Sequence, residues 1–300
     1  MVNRGRTLLT AAVVLAALSQ FVAPAAAATW WAFDRGPLAQ HPRDVLTEPA
    51  ASGAVRVYGD HPGQDATAAA RDTVDELVDA GGLERGIVLV TLPTGSGWVD
   101  PVQVEAVEDW ADGDVANVAV RYARTPSAVA YLMRPELAEQ SATALLREVT
   151  ERVEELDAAR RPAVVVQGQS LGVGAGLAAV RQLAQDGAAA PAAQLWQGRP
   201  GTVAAPAEDR CTVDEINDDD PVAALGPGLL LDPVAAVGVL ADLPGSASST
   251  AGTRHSYRPV LPPQGCVGDQ SPDTSPDTSP NTSPRKASWS ATTASKSAPE

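Results

Sequence analysis

Three hundred residues allow one large domain or two small ones. A net charge of −15 repels phosphate backbones, which argues against nucleic acid as a partner, and no long basic block favours an anionic membrane surface. The chain is 44% apolar but only 4% aromatic, so its core must be built from Ala, Val and Leu.

The N-terminus carries arginines in "MVNRGR", an apolar run in "TLLTAAVVLAALSQFVAP" and small residues at Ala25 to Ala28. This order reads as a secretory signal peptide cleaved near Ala28. An uncleaved anchor is the alternative, because an apolar run of about 17 residues is the lower limit for spanning a bilayer. Both readings export the rest of the chain. Residues 1–28 are thus read as the signal, 29–268 as the folded domain and 269–300 as a disordered Ser/Thr/Pro-rich tail, "SPDTSPDTSPNTSPRKASWS", which cannot bury a core. In an oxidising compartment Cys211 and Cys266, the only cysteines, are expected to form a disulfide.

Residues 29 to 50 look irregular. "VRVY" (Val55 to Tyr58) is a short strand. "QDATAAARDTVDELVDAGG" has helical spacing and ends on a glycine pair. "GIVLVTLP" is apolar throughout, as in a strand covered on both faces. "PVQVEAVEDWADG" is a helix with proline in its first turn. "VANVAVRY" is a strand, and "PELAEQSATALLREVTERVEELDAARR" a long amphipathic helix. "AVVVQ" is a strand, "GVGAGLAAVRQLAQDG" a helix, and "AAQLWQG" a strand again. "CTVDEI" has the composition of a further strand, and "PVAALGPGLLLDPVAAVGVLADLPG" of one or two short helices. Strands alternating with helices imply an α/β three-layer fold around a mostly parallel sheet.

"GQSLG", Gly168 to Gly172, fits G-x-S-x-G after a strand and before a helix. In a nucleophile elbow the glycines let the backbone turn tightly and the serine is presented at the sheet edge. Ser170 is the expected nucleophile, against a plain tight turn as the bland reading. The N–H of Leu171 would be one oxyanion donor. A second is expected from Thr94 or Gly95 in "TLPTGSGWVDP", otherwise an ordinary strand-to-helix loop. A serine needs a base, and the chain order of such triads is Ser, acid, His. His41 and His61 precede Ser170 and are assigned no role. His255, in "GTRHSYRP", follows it and is the candidate base, unless it is a surface histidine. The acid would come from Asp218, Asp219 and Asp220, otherwise an exposed acidic turn. The proposed disulfide would tie the loops carrying acid and base together.

The blocks "TLPTGSGWVDP", "GDVANVAVRYARTPS", "VVVQGQSLGVGAG" and "LWQGRP", in that order, resemble an actinobacterial α/β-hydrolase family whose members usually join a membrane-embedded N-terminal region to an extracytoplasmic hydrolase domain. The resemblance covers roughly Val55 to Pro200 and matches Ser170 to the family's nucleophile. "NDDDPVAALGPGLLL" is similar to an S-D-P block that singles out Asp220, and "TRHSY" to an ending that points to His255. This chain departs from the pattern in lacking a multi-span region, in being shorter after Trp196 and in lacking aromatics around the acid loop.

The expectation is a secreted serine hydrolase, an esterase or other acyl hydrolase, with Ser170, His255 and Asp220 as its triad. The alternative is a catalytically inactive, hydrolase-like binding or cell-surface module. The expected partner is a small-molecule, lipid or cell-envelope acyl substrate, met by a monomer. Neither a metal nor another cofactor is expected, since three scattered histidines and a bridged cysteine pair make no ligand set.

Overall fold

The computed structural model describes residues 24–41, 44–61, 64–225, 238 and 249–268. Residues 1–23 of the expected 1–28 signal, the expected short helices beyond Leu225 and the expected tail from residue 269 lie outside the described residues.

Six strands form one sheet: β1 (Val55–Gly59), β2 (Ile87–Leu92), β3 (Val115–Val120), β4 (Ala163–Gln169), β5 (Ala193–Gln197) and β6 (Thr212–Glu215). Their order is β1-β3-β2-β4-β5-β6, and every neighbouring pair is parallel. β2 lies at the centre, with Val90 opposite Val118 of β3 on one side and Val166 of β4 on the other. Every residue of β2 and β3 is buried, as their unbroken apolar sequence requires of strands covered on both faces.

The helices between strands are α1 (Ala66–Asp79), α2 (Pro101–Trp110), α3 (Ser127–Met133), α4 (Pro135–Glu154) and α5 (Leu171–Asp186). α1 starts on Asp65, whose side chain accepts the Ala68 N–H, and α2 on Asp100, which caps Val102 ahead of Pro101. α5 ends on Gly187 in the left-handed conformation.

Strand alternation divides the core. Val88, Val90, Val118 and Val166 face one layer, where Val74 and Leu77 of α1, Leu145, Leu146 and Val149 of α4, and Leu183 of α5 pack. Ile87, Leu89, Val165 and Leu195 face the other, against Val107 of α2 and Val267 of the returning C-terminal segment. Each such fully buried aliphatic side chain contributes roughly 1.5–3 kcal/mol. On this second face the buried Glu108 of α2 pairs with Arg56 of β1 at 2.6 Å and accepts from Asn117 of β3 at 2.7 Å. That arrangement leaves neither the Arg56 nor the Glu108 charge unpaired.

Two details differ from the sequence reading. Residues 24–34 are helical and Val45–Thr47 form a turn of 3-10 helix, so the stretch before β1 is not uniformly irregular. α3 went unread because its seven residues are too few to show a period.

The segment after β6 returns along the second face and is clamped at several points. Gln103 of α2, fully buried, exchanges two 2.8 Å bonds with the Val260 backbone. Gln197 at the end of β5 donates to the Arg258 carbonyl at 2.8 Å. A disulfide joins Cys211 to Cys266 across a separation of 55 residues.

Candidate active site

The chain after β2 crosses to β3 on one side, whereas the chain after β4 crosses to β5 on the other. Adjacent strands whose connections diverge leave a crevice at their carboxyl ends, the usual ligand position in open α/β sheets. Ser170 stands there, at the junction of β4 and α5. Its backbone has φ 55° and ψ −119°, outside the ordinary wells of an L-residue, at a cost of about 1–3 kcal/mol.

Several contacts impose that conformation. The Ser170 N–H donates to Gln197 O at 2.9 Å, and its carbonyl accepts from Val173 N at 3.0 Å. A Cβ on Gly168 would lie 2.7 Å from the Gly172 backbone, and one on Gly172 would lie 2.3 Å from Leu92 O. The two glycines therefore let the strand fold back on its helix, and let the helix touch the end of β2. Leu171 opens α5, so its N–H has no carbonyl one turn earlier to bond.

The loop after β2 is less open than expected. The Thr94 N–H donates to Trp98 O at 3.1 Å, and the Gly95 N–H to Ser127 Oγ at 3.2 Å. Neither N–H is free in this conformation to receive a substrate oxygen. Tyr58 donates to Gly97 O at 2.5 Å and Arg121 to Ser96 O at 2.9 Å, fixing the loop from β1 and β3.

His255 lies on a tight turn in which Gly252 N bonds Ser256 O at 2.8 Å and Arg254 has φ 51°. Asn217 steadies this turn by donating its side-chain amide to Arg254 O at 2.9 Å and Ser256 O at 3.1 Å. His255 Nδ1 is 2.8 Å from Asp220 Oδ2, and both side chains are buried. Tyr257 donates its hydroxyl to the same Oδ2 at 2.5 Å, and Val222 N donates to Oδ1 at 2.8 Å. Burial pushes the Asp220 carboxyl up, but the bonds from His255, Tyr257 and Val222 outweigh it and hold the group below its ordinary value. With an ionised carboxylate as acceptor, the proton sits on Nδ1 and the neutral ring presents Nε2 as its basic nitrogen.

Nε2 is buried and has no hydrogen-bond partner among the described residues, Ser170 included. Its position relative to the elbow follows from Gly198. Gly198 comes directly after Gln197, whose carbonyl holds Ser170, and a Cβ there would lie 2.6 Å from His255 Cε1, the ring atom beside Nε2. The imidazole thus rests against the peptide next to the one that pins the serine.

Of the other residues singled out in the sequence, Asp219 accepts the Arg254 N–H at 2.6 Å and helps fix the turn, whereas nothing described brings Asp218 to the site. His41 lies 3.3 Å from Arg124 and His61 bonds Thr73 at 3.0 Å, both toward the β1–β3 end of the sheet. Tyr257, Gly198 and Asn217 escaped the sequence reading. The only signal for Tyr257 was its place two residues after His255, and a close backbone approach such as that at Gly198 leaves no trace in one sequence.

The model of an alpha/beta-hydrolase family matches residues 55–212, more than half of the chain. No curated protein matches it.

Proposed function

The chain belongs to the alpha/beta-hydrolase family, and from that premise we propose that it is a secreted serine hydrolase acting on an ester or another acyl bond. Ser170 Oγ attacks the acyl carbon while His255 Nε2 takes its proton, and the C–O bond of the tetrahedral intermediate then breaks as Nε2 returns the proton to the leaving alcohol. Water repeats the two steps to release the acid and restore the serine. Asp220 orients the imidazole and offsets its charge. The Leu171 N–H stabilises the oxyanion, and a second donor from Thr94 or Gly95 must exchange its present partner for the substrate oxygen.

One observation carries this reading. A buried histidine held by a buried carboxylate has a ring nitrogen with no partner among the described residues, and its ring packs on Gly198, next to the Gln197 carbonyl that pins a strained serine. Isolated polar atoms of this kind are uncommon unless something uses them. Bonds between catalytic groups are often long before substrate arrives, which accommodates the missing Ser170–His255 bond. The disulfide suits an extracytoplasmic protein, and among the described residues no helix is long and apolar enough to cross a membrane. The reading needs the chain through Val267, beyond the family match, because base and acid both lie after residue 212.

The second reading, a hydrolase-like binding module without chemistry, draws on the open Ser170–His255 pair and on the occupied Thr94 and Gly95 amides. Fluorophosphonate labelling separates the two. The native chain should label at Ser170, Ser170→Ala should not, and His255→Ala should label at least about a hundredfold more slowly. A folded native chain that resists the probe would favour the binding module.

A further inference from the structure

One cavity lies away from Ser170. It measures about 630 Å³ and opens at the carboxyl ends of β1 and β3, two strands from the elbow. Its floor is Asp60 and the run Arg121 to Arg124, its walls are the first turns of α1 and α4, and one side is the 24–34 helix with Trp30 and Trp31. This volume suits a ligand of several rings. Ser170, Leu171 and His255 are not among its lining residues.

We propose that this cavity binds a neutral, polyhydroxylated ligand: a short oligosaccharide, or the glycan part of a larger molecule. The charges decide the class. Asp60 pairs with Arg124 at 2.6 Å and with Arg121 at 3.5 Å, Arg35 with Asp34 at 3.5 Å, and Arg134 with Glu136 at 2.7 Å. Asp65 caps α1 by accepting the Ala68 N–H. A phosphate or carboxylate entering the cavity would compete with Asp34, Asp60 and Glu136 for these guanidiniums, and a cation would compete with the arginines for the aspartates. An acyl chain would strip water from the same groups without giving hydrogen bonds back. A sugar meets both conditions, because its hydroxyls bond paired aspartates and arginines from the side and its C–H face lies on an indole. Trp31 lines the cavity and is 57% exposed, whereas Trp30 is already covered by the Arg134 guanidinium at 5.4 Å. Gln140 on α4 adds an exposed amide at the rim.

The site does not depend on serine chemistry, so its test is separate. Calorimetric titration of the purified full chain uses maltohexaose, cellohexaose and xylohexaose as neutral probes, and inorganic phosphate and phosphocholine as charged ones. At least one neutral probe should bind saturably with Kd below about 10 mM, equally well in Ser170→Ala. Trp31→Ala should weaken it about tenfold, and Gln140→Ala, on an exposed helix position that does not threaten folding, should weaken it measurably. Three results would each overturn the proposal: no neutral probe binding, a charged probe binding in their place, or both variants binding like the native chain.

Discussion

Ser170 and Asp220 show how much of this protein rests on single side chains in conditions that water would not impose. Ser170 keeps its positive-φ backbone while the Gln197 carbonyl holds its N–H and Gly172 packs on Leu92. Asp220 stays charged while buried because three donors converge on it, and Tyr257 is the one no sequence argument assigned. Tyr257→Phe removes one donor and leaves the ring in place. The Asp220 carboxyl should then rise toward its ordinary value, and stability should fall by about 1.5–3 kcal/mol, the range for a bond to a charged group. If the serine chemistry holds, ester turnover should decline more steeply on the acid side of its pH profile than in the native chain. Chemical denaturation and a pH–rate profile check both parts, and an unchanged acid limb would mean that Tyr257 only packs.

Among the elements, β2 and β4 read directly as apolar runs and β1, β3, β5 and β6 as shorter strand-like stretches, while α5 packs tightly on the sheet where a Cβ on Gly176 would strike the Trp196 ring at 2.5 Å. Such elements are legible because a period of two or of 3.6 residues is a local property. The returning C-terminal segment has no period, and its course depends on Gln103, Gln197, Asn217 and the disulfide, each bonding to a distant part of the chain. Replacing Cys211 and Cys266 by serine should lower stability by about 4 kcal/mol on the chain-entropy estimate for a loop of 55 residues. Because the same segment carries His255, labelling at Ser170 should slow more than in a surface variant of equal stability. Thermal melts and labelling rates of the pair of variants test this.

At the scale of the whole molecule, two buried acids pull stability in opposite directions with pH. Asp44 is pushed up to about 6 by burial, against partial relief from its backbone bonds to Leu46 and Val99 and from Arg121. A raised acid binds its proton more tightly folded than unfolded, so its contribution is complete at low pH and is lost as pH rises from the ordinary carboxylate value to about 6. Asp220, held low, contributes above its ordinary value and loses that contribution as pH falls through its lowered one. Asp44→Asn should therefore match the native chain near pH 4 and exceed it at pH 7 by roughly 2–3 kcal/mol. Urea denaturation at the two pH values checks this, and a constant difference would place the burial cost elsewhere.

By itself the sequence determined the α/β class, the strand and helix order from Val55 to Glu215 apart from α3, and the strand–turn–helix around Ser170, because apolar periodicity and glycine placement act over a few neighbouring residues. It narrowed the acid to Asp218, Asp219 and Asp220, with the family resemblance pointing to Asp220, and marked His255 by its place after the serine. Tertiary structure alone decided that these two side chains meet, 35 residues apart and out of water, with Tyr257 on the same oxygen. It alone placed partners on the Thr94 and Gly95 amides and opened a cavity lined by ion-paired side chains and Trp31. Those outcomes depend on which surfaces the folded layers press together, and no local pattern along a chain encodes that.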